Sequence, residues 1–291
     1  DLVDHFKDLF HDLFDTELGL TPDDIEVYAE RIWQVVTSCE ERRMAEYEKI
    51  SWWNFLDADN HSTAYQHLLV EGLSRSLLAN DPRKANAKTV GDVDLQLMFG
   101  TVWPGRSGDN ILNGPTSDVW LNPWYDHITG LGVDYHFNSL IESVECTNGE
   151  INSVTVNVNG QSTKVTGDYY IFAVPVEVMA RILRMGGKSL LDADPTLNNI
   201  FIISGDVAWM NGIQFFLNTR TDIVQGHTLY VDSPWALTSI SQGQFWPDLN
   251  FPDYGNGKTV DIISVCLSNW DTPGILYNKP ANQCTKEEIK D

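Results

Sequence analysis

The sequence is poor in basic residues. It has 19 lysines and arginines against 41 aspartates and glutamates, which gives the 291-residue chain a formal net charge of -22. A surface of that sign repels phosphate backbones and anionic lipids, so we expect no nucleic-acid partner. The acidic residues are spread along the chain without a run of five, as on a solvated surface, and composition leaves open an adaptation to salt.

Cysteine is also scarce. Cys39, Cys146, Cys266 and Cys284 lie far apart, without a CxxC pair and without a histidine at metal-ligand spacing. Zinc sites and redox dithiols need such pairs. The sequence therefore predicts no metal site and four reduced cysteines.

Long apolar runs are missing as well. No stretch reaches about 18 consecutive apolar residues, and the first residues have neither the basic nor the apolar segment of a secretion signal. We therefore expect no membrane-spanning helix and a cytoplasmic location.

Both ends of the sequence have the pattern of a protein interior. The first residue is Asp1 rather than methionine, and apolar residues recur at helical spacing from Leu2 to Phe14. Near the other end, Thr285 and Glu288 have the spacing of a capping box, which begins a helix. We expect the sequence to be an internal piece of a longer protein.

Residues 1 to about 95 carry the pattern of helices. Thr21-Pro22 is typical of a helix start, and the apolar residues that follow recur at intervals of three and four. Strand signals are almost absent from this part of the chain. The pattern predicts a helical cap with an apolar inner face.

Turns and alternating segments follow. Residues 96–122 are rich in glycine, proline and asparagine, which predicts a loop, and helices are expected over Pro123–Thr129 and Val176–Leu191. The turn at residues 147–150 contains Asn-Gly, which favours a hairpin. The expected strands are Val133–Val144, Ile151–Val158, Thr163–Val165, Tyr169–Pro175, Ile200–Ile203, Asp206–Phe216, Thr228–Val231 and Lys258–Leu267. These elements predict an α+β fold with a helical cap and mixed sheets.

The middle of the chain carries an ordered set of motifs. Gly114-Pro115-Thr116-Ser117-Asp118-Val119-Trp120 precedes a helix, Gly132-Val133 precedes the strand that ends at Val144, and a hairpin leads to Asp168–Pro175. This order resembles the flavin-containing amine oxidase superfamily, and within it the phytoene desaturase and hydroxysqualene dehydroxylase-like branch. The resemblance covers about 60 residues, from Gly114 to Pro175.

The resemblance implies a partial FAD-linked reductase fold without the N-terminal Rossmann βαβ unit. It implies three regions: a helical substrate or cap region at 1–100, a partial FAD-binding region at 101–175, and a substrate domain with a mixed sheet at 176–291. It also implies that FAD contacts six residues near the adenine end and the exit to the substrate domain. These are Pro115, Thr116, Ile141, Ala173, Val174 and Pro175.

The chain departs from the family at two points. No GxGxxG follows a strand, and the family's later Gly-Asp motif is absent. The pyrophosphate of a dinucleotide usually needs the first of these motifs. We therefore expect FAD in the full-length protein and no activity from this chain alone.

The resemblance implies hydrogen removal from a small apolar, isoprenoid-like substrate. Large aromatic and amide side chains of the strand-rich half are the candidates for the substrate cavity: Trp209, Gln214, Phe215, Trp235, Gln244 and Phe245. No lysine occurs between Lys188 and Lys258, which favours a desaturase-like or dehydroxylase-like reaction over amine oxidation. Catalytic residues are not assigned.

Three alternatives stay open. The chain could belong to a flavin amine oxidase, to a non-catalytic protein that binds an apolar ligand or a partner, or to a family member kept as a scaffold. The electron acceptor, the oligomeric state and a peripheral membrane contact of the longer protein are also left open by the sequence.

Overall fold

The computed structural model describes residues 19–102, 110–221 and 223–291, together with Asp4 and Lys7. The expected opening helix at Leu2–Phe14 lies outside the described residues. The chain forms two compact units, one of residues 1–119 and 209–291 and the other of residues 120–208. Residues 176–208 thus belong to the same unit as the hairpin. The division of the chain into cap, FAD-binding and substrate regions at residues 100 and 175 stays a prediction.

The first unit begins with helices that pack around one core. The α-helices are α1 (Pro22–Thr37), α2 (Glu40–Ala45), α3 (Trp52–Phe55), α4 (Gly72–Ser76) and α5 (Ala87–Val102). Short 3₁₀ turns lie at Tyr47–Lys49 and Ala58–Asn60, and a π-helix spans Tyr65–Glu71 and runs into α4. The described part of this region contains no strand, as the sequence predicted, apart from an isolated bridge between Ser51 and Asn86.

Local chemistry explains where α1 starts. Thr21 Oγ1 accepts a hydrogen bond from the Asp24 amide, and the Asp24 carboxylate accepts one from the Thr21 amide. This capping box satisfies two backbone donors that the helix leaves free. The apolar face of α1 then buries Ile25, Ile32 and Val35 in the helical core. The helix α5 differs from the sequence prediction. It continues to Val102, into residues that were expected to form a loop, because Leu95 and Met98 still pack on the core.

The same unit contains a four-stranded antiparallel sheet in the order β4-β7-β6-β5. Its strands are β4 (Asn211–Leu217), β5 (His227–Tyr230), β6 (Leu237–Ser241) and β7 (Asp261–Leu267). Short 3₁₀ turns at Gln242–Gln244, Phe251–Asp253 and Ala281–Gln283 and the helix α10 (Lys286–Lys290) complete the unit. The strand β6 was not predicted, because its five residues are mostly small and polar.

The second unit is a three-stranded antiparallel meander with helices. Its helices are α6 (Asn122–Gly130), α7 (Val176–Gly186), α8 (Lys188–Ala193) and α9 (Asn199–Ile203), with 3₁₀ turns at Pro195–Asn198 and Ser204–Asp206. The π-helix Ser117–Leu121 begins in the first unit and ends in the second. Its strands are β1 (Ser139–Thr147), β2 (Glu150–Val158) and β3 (Gln161–Val165), in the order β1-β2-β3. Val144, Val154, Ile182 and Leu183 form the centre of its core.

Four expected elements of this unit differ from the structure. The expected strand Val133–Val144 begins only at Ser139, as β1. The expected helix Val176–Leu191 is two helices, because Gly186-Gly187 interrupts it and Gly186 lies against Ser143 too closely for a Cβ atom. Ile200–Ile203 is helical rather than a strand, because Leu197, Ile200 and Phe201 pack on the core at spacings of three and four. The segment Tyr169–Pro175 has no strand partner among the described residues.

The α+β class is confirmed, with two antiparallel sheets. The predicted hairpin is confirmed too, since β1 and β2 meet at Asn148-Gly149. All four cysteines are free thiols. Within the described residues, no helix combines the length and the apolar character that crossing a bilayer requires. The cytoplasmic location stays a prediction.

Candidate functional site

One face of the four-stranded sheet forms the floor of an apolar cavity of about 340 Å³, here called the sheet cavity. Because side chains alternate along a strand, Ile213 and Phe215 of β4 lie on the same face. Ile213 pairs with Val265 of β7, and Leu267 of β7 pairs with Leu237 of β6. The antiparallel register therefore places aliphatic and aromatic side chains from three strands side by side.

Trp235 forms a wall of the sheet cavity. Its indole Nε1 donates a hydrogen bond to the carbonyl of Thr272 at 3.0 Å, and its own carbonyl accepts hydrogen bonds from the amides of Ser268 and Asn269. A Cβ on Gly274 would lie 2.7 Å from Cζ2 of Trp235, so only glycine allows the backbone to approach the ring this closely. The indole is therefore held in one orientation, with its polar atom satisfied.

A loop and the helix α10 close the other side of the sheet cavity. The loop at residues 274–277 carries Ile275 and Leu276, which are largely exposed. Tyr277 Oη donates a 2.5 Å hydrogen bond to Asp291, which raises the pKa of the tyrosine. The cavity thus has an apolar interior and a polar rim.

An ion pair belongs to the same rim. Lys279 Nζ lies 2.6 Å from Glu288 Oε1, and this hydrogen bond lowers the pKa of Glu288 and raises that of Lys279. Glu288 also accepts a hydrogen bond from the amide of Thr285, which completes the capping box that the sequence indicated. The pair links the segment that follows the loop to α10.

The predicted substrate residues fall into two groups. Phe215 and Trp235 both line the sheet cavity. Gln214 points to the opposite face, where its amide Nε2 donates to Ser264 Oγ at 3.3 Å. Gln244 Nε2 donates to the carbonyl of Val224 at 2.9 Å, and Trp209 is 79% exposed. These three, with Phe245, do not line the sheet cavity, and their substrate roles stay predictions.

The predicted cofactor residues lie in both units. Pro115 and Thr116 belong to the first unit, where the Pro115 carbonyl accepts hydrogen bonds from the amides of Asp118 and Val119. The other four, Ile141, Ala173, Val174 and Pro175, belong to the second unit. Their contacts with FAD stay predictions.

Within the second unit, two of these four residues pack on the same core. Ile141 and Val174 both pack on the core, whereas Ala173 is exposed and Pro175 caps the helix α7. Ile141 lies in β1, an edge strand, immediately before an irregularity in the β1–β2 register. Further along the same edge, Ser189 of α8 accepts a hydrogen bond from the Cys146 amide and donates one to the Val144 carbonyl. The chain's own serine therefore covers the part of the edge that follows Ile141.

Sequence reasoning missed a second cavity of the first unit. It has a volume of about 730 Å³ and is lined by the π-helix, by α4 and by the segment that joins β5 to β6; we call it the helix cavity. Its charged side chains include Glu71 and Arg75, which are four residues apart. That spacing was a readable signal for the pair alone, since charges at positions i and i+4 lie on the same side of a helix.

The described part of the chain contains no group of three or more histidine, cysteine, aspartate or glutamate side chains that could hold a metal ion.

Comparisons with known proteins place the fold but no family. No protein-family model matches the chain, and no curated protein matches it. Among solved structures, the chain is similar to an oxidoreductase from Methanosarcina mazei, with a TM-score of 0.55 and 12% sequence identity. The match covers 90% of this chain and 53% of the other, so the chain spans about half the length of that structure. At this identity, the likeness shows a shared fold.

Proposed function

We propose that this chain is part of an FAD-dependent oxidoreductase that removes hydrogen from an apolar, isoprenoid-like substrate, and that the sheet cavity receives that substrate. The observation that carries the proposal is the structural likeness to an oxidoreductase over 90% of this chain. The apolar lining of the sheet cavity, with Phe215 and Trp235 in its walls, fits a hydrocarbon-like ligand.

An exposed apolar segment of the second unit supports a larger parent protein. From Tyr169 to Pro175, residues alternate between exposed and half-buried, with the period of two of an extended chain. Tyr170, Phe172 and Val174 pack inward, whereas Tyr169 and Ile171 are both 91% exposed. Large apolar side chains with this exposure are typical of a surface that another part of the protein covers. A cofactor-domain sheet is the occupant that the proposal requires.

The proposal assigns only one end of FAD to this chain. Ile141 lies on an edge strand, just before the part of the edge that Ser189 covers, and the proposal has its backbone groups contact the adenine ring. The sequence contains no glycine-rich turn for the pyrophosphate, so residues outside this sequence would hold it. When bound, an oxidised flavin supplies the hydrogen acceptor. The chain's own part is to bind the substrate and to exclude water from it.

Purified complete protein tests the cofactor. We expect it to absorb in the flavin bands and to release FAD on denaturation. A protein that stays colourless after addition of FAD, while it is folded by circular dichroism, would remove the oxidoreductase proposal.

A pair of substitutions tests whether Ile171 is covered in the parent. Ile171→Ser should leave the melting temperature of the 291-residue chain unchanged, because the side chain is exposed there. In the complete protein the same change should lower it by several degrees, since a buried isoleucine contributes about 2 kcal/mol. Thr163→Ser, on the exposed strand β3, is the control expected to be silent in both proteins. If the complete protein and its Ile171→Ser variant had equal melting temperatures, nothing would cover this segment.

A non-catalytic ligand-binding protein is the second candidate function. The sheet cavity favours it, because the cavity is complete within the first unit and needs no cofactor domain. The two functions differ in one measurement. A binding protein takes up an apolar ligand and returns it unchanged, whereas the oxidoreductase converts the ligand with stoichiometric bleaching of the flavin.

A further inference from the structure

The polar atoms of the aromatic side chains around the sheet cavity are already bonded within the protein. Trp235 Nε1 donates to a backbone carbonyl at 3.0 Å, and Tyr277 Oη donates to Asp291. Tyr230 Oη lies 2.9 Å from Ser239 Oγ, in a hydrogen bond in which either oxygen can be the donor. A ligand atom that needs a hydrogen bond from these rings would therefore have to displace an existing one.

The charged groups at the rim are paired in the same way. Lys279 Nζ lies 2.6 Å from Glu288 Oε1, and Lys290, whose side chain is largely exposed to water, lies 3.7 Å from Glu287. Among the described residues that line the sheet cavity, two carboxylates, Glu288 and Asp291, stand against one ammonium, Lys290. An anionic head group is therefore repelled, and a cationic one finds both carboxylates hydrogen-bonded already.

The volume of the sheet cavity, about 340 Å³, sets the size of the group that it can hold. An apolar cavity of about 150 Å³ in a protein core binds benzene, which has six carbon atoms. At a similar density the sheet cavity holds about ten to fourteen carbon atoms.

The walls of the sheet cavity resist expansion. The strand β7 in its floor is paired on both sides, with β4 and with β6. Trp235 is held by its hydrogen bond and by the close approach of Gly274. Beyond this floor and wall, Ile275 and Leu276 are 80% and 71% exposed, so carbon atoms in excess of the cavity volume would extend past them into water.

We infer that the sheet cavity recognises an uncharged hydrocarbon group of about ten to fourteen carbon atoms by size and shape, with no ion pair and no hydrogen bond to the ligand. This inference rests on the proposed role of the sheet cavity as the substrate site and narrows the class of substrate. In a longer substrate, the remaining carbon atoms and any charged or hydroxylated end lie outside the cavity.

Probes that share one skeleton test whether a polar contact contributes. Butylbenzene, phenylbutanol, phenylbutanoate and phenylbutylammonium differ in their end group, and calorimetric titration of the 291-residue chain measures their affinities. We expect butylbenzene to bind most tightly, because removal of a hydroxyl group from water is costly when no partner replaces it. Neither ion should bind more tightly than phenylbutanol.

A series of alkylbenzenes, from toluene to dodecylbenzene, tests the size limit. Competition with naphthalene, followed by its fluorescence, gives the affinity of each member. We expect the affinity to rise about fourfold with each added carbon atom, as burial of a methylene group predicts. The rise should stop at about fourteen carbon atoms, near octylbenzene.

Two leucine substitutions place this limit in the sheet cavity. Leu237→Ala enlarges the floor and should move the point at which the affinity stops rising by about two to three carbon atoms. Leu229→Ala is the matched control and should not move it. Leu229 precedes Tyr230, which lines the cavity, so the leucine faces the opposite side of the sheet. Thermal unfolding checks both folds, and Val265→Ala is a milder enlargement that should move the point by about one to two carbon atoms.

The outcomes separate this inference from the proposed function. An affinity that keeps rising to dodecylbenzene, a hydroxyl group that strengthens binding, or an ion that binds more tightly than phenylbutanol would overturn the inference and leave the cavity as the substrate site. No binding of any alkylbenzene, or enlarged variants that behave like Leu229→Ala, would overturn both.

Discussion

Asp94 is a carboxylic acid inside the helical core. It is 3% exposed, accepts a 3.2 Å hydrogen bond from Tyr28 Oη, and its Oδ1 has no hydrogen-bond partner among the described residues. Burial raises the pKa of Asp94 to about 7, against the lowering effect of the Tyr28 hydrogen bond. The side chain is therefore a site at which pH acts directly on the stability of the core.

The expected pH dependence has a definite sign. Between about pH 4 and pH 7 the folded protein keeps the Asp94 proton and the unfolded chain has lost it, so stability is full below this window and falls as pH rises through it. Asp94→Asn cannot ionise and should raise the free energy of unfolding at pH 8 by about 2 to 4 kcal/mol. Urea unfolding across this pH range measures the effect. Asp59→Asn, which removes the same charge at an exposed position, is the control. The expectation would be contradicted if the free energy of unfolding of Asp94→Asn changed with pH in the same way as that of the native protein.

Asp261 is also a buried carboxylate, but it differs from Asp94 because both of its oxygens accept hydrogen bonds. Its oxygens accept hydrogen bonds from the amides of Thr221, Gly243 and Ile262 and from Ser241 Oγ. A Cβ on Gly243 would lie 2.4 Å from Asp261 Oδ1, so the contact also requires glycine. The residue joins the start of β7 to two loops.

Removal of this carboxylate should therefore be costly. Asp261→Ala leaves several buried donors unpaired, each at about 1 to 3 kcal/mol, and should lower the free energy of unfolding by at least about 3 kcal/mol in urea titrations. Asp253→Ala, an exposed aspartate that accepts a hydrogen bond from Asn250, should cost less than about 1 kcal/mol. Equal losses in the two variants would show that the Asp261 network is not structural.

At the scale of elements, the hairpins of the second unit depend on two identical turns. Asn148-Gly149 joins β1 to β2, and Asn159-Gly160 joins β2 to β3. All four residues have positive φ, between 52° and 90°. Asparagine and glycine accept this conformation at the lowest cost, so the two turns fix the register of the meander.

A glycine substitution tests the turn. Gly149→Ala should cost about 1 to 2 kcal/mol in chemical unfolding, because alanine resists positive φ. Gly130→Ala, at the end of α6 with no atom within 4 Å of the added Cβ, should be neutral or slightly stabilising. A loss of the same size at both positions would mean that the added methyl group, rather than φ, is responsible.

The elements that the sequence predicted well are those set by local chemistry. The hairpin turn and the capping box at Thr21 depend on residues a few positions apart. Tyr169–Pro175 was predicted as a strand because its residues are apolar, but a strand also needs a neighbour, and none of the described segments pairs with it. Ile200–Ile203 was misread because a short apolar run fits a helix as well as a strand.

The candidate site was predictable only in part. Aromatic richness led to Phe215 and Trp235, which share the sheet cavity. The period of two along β4 could have excluded Gln214 from the candidate cavity residues, since neighbouring residues of a strand face opposite sides and Gln214 precedes Phe215. The helix cavity could not be found this way, because its walls are separated by more than 150 residues, from Thr63 to Asp232, and no local pattern joins them.

At the scale of the whole molecule, the net charge of -22 is a source of self-repulsion. Salt screens charges at the surface, and the compact state gains most because its charges are closest together. We expect the melting temperature to rise by several degrees when sodium chloride increases from about 0.02 to about 0.5 M. Sucrose at matched osmolality is the control for effects that do not depend on charge. A melting temperature that falls with added salt would indicate that attractive ion pairs dominate.

The strand register of the four-stranded sheet has a practical consequence for altering selectivity. Ile213, Val265 and Leu237 face the sheet cavity, whereas Gln214 and Ser264 lie on the reverse side of the same strands. The two surfaces can therefore be varied as separate libraries. If the sheet cavity receives the substrate, as proposed, changes on the first set should redirect which chain lengths or branches are accepted, and changes on the second should leave that preference untouched.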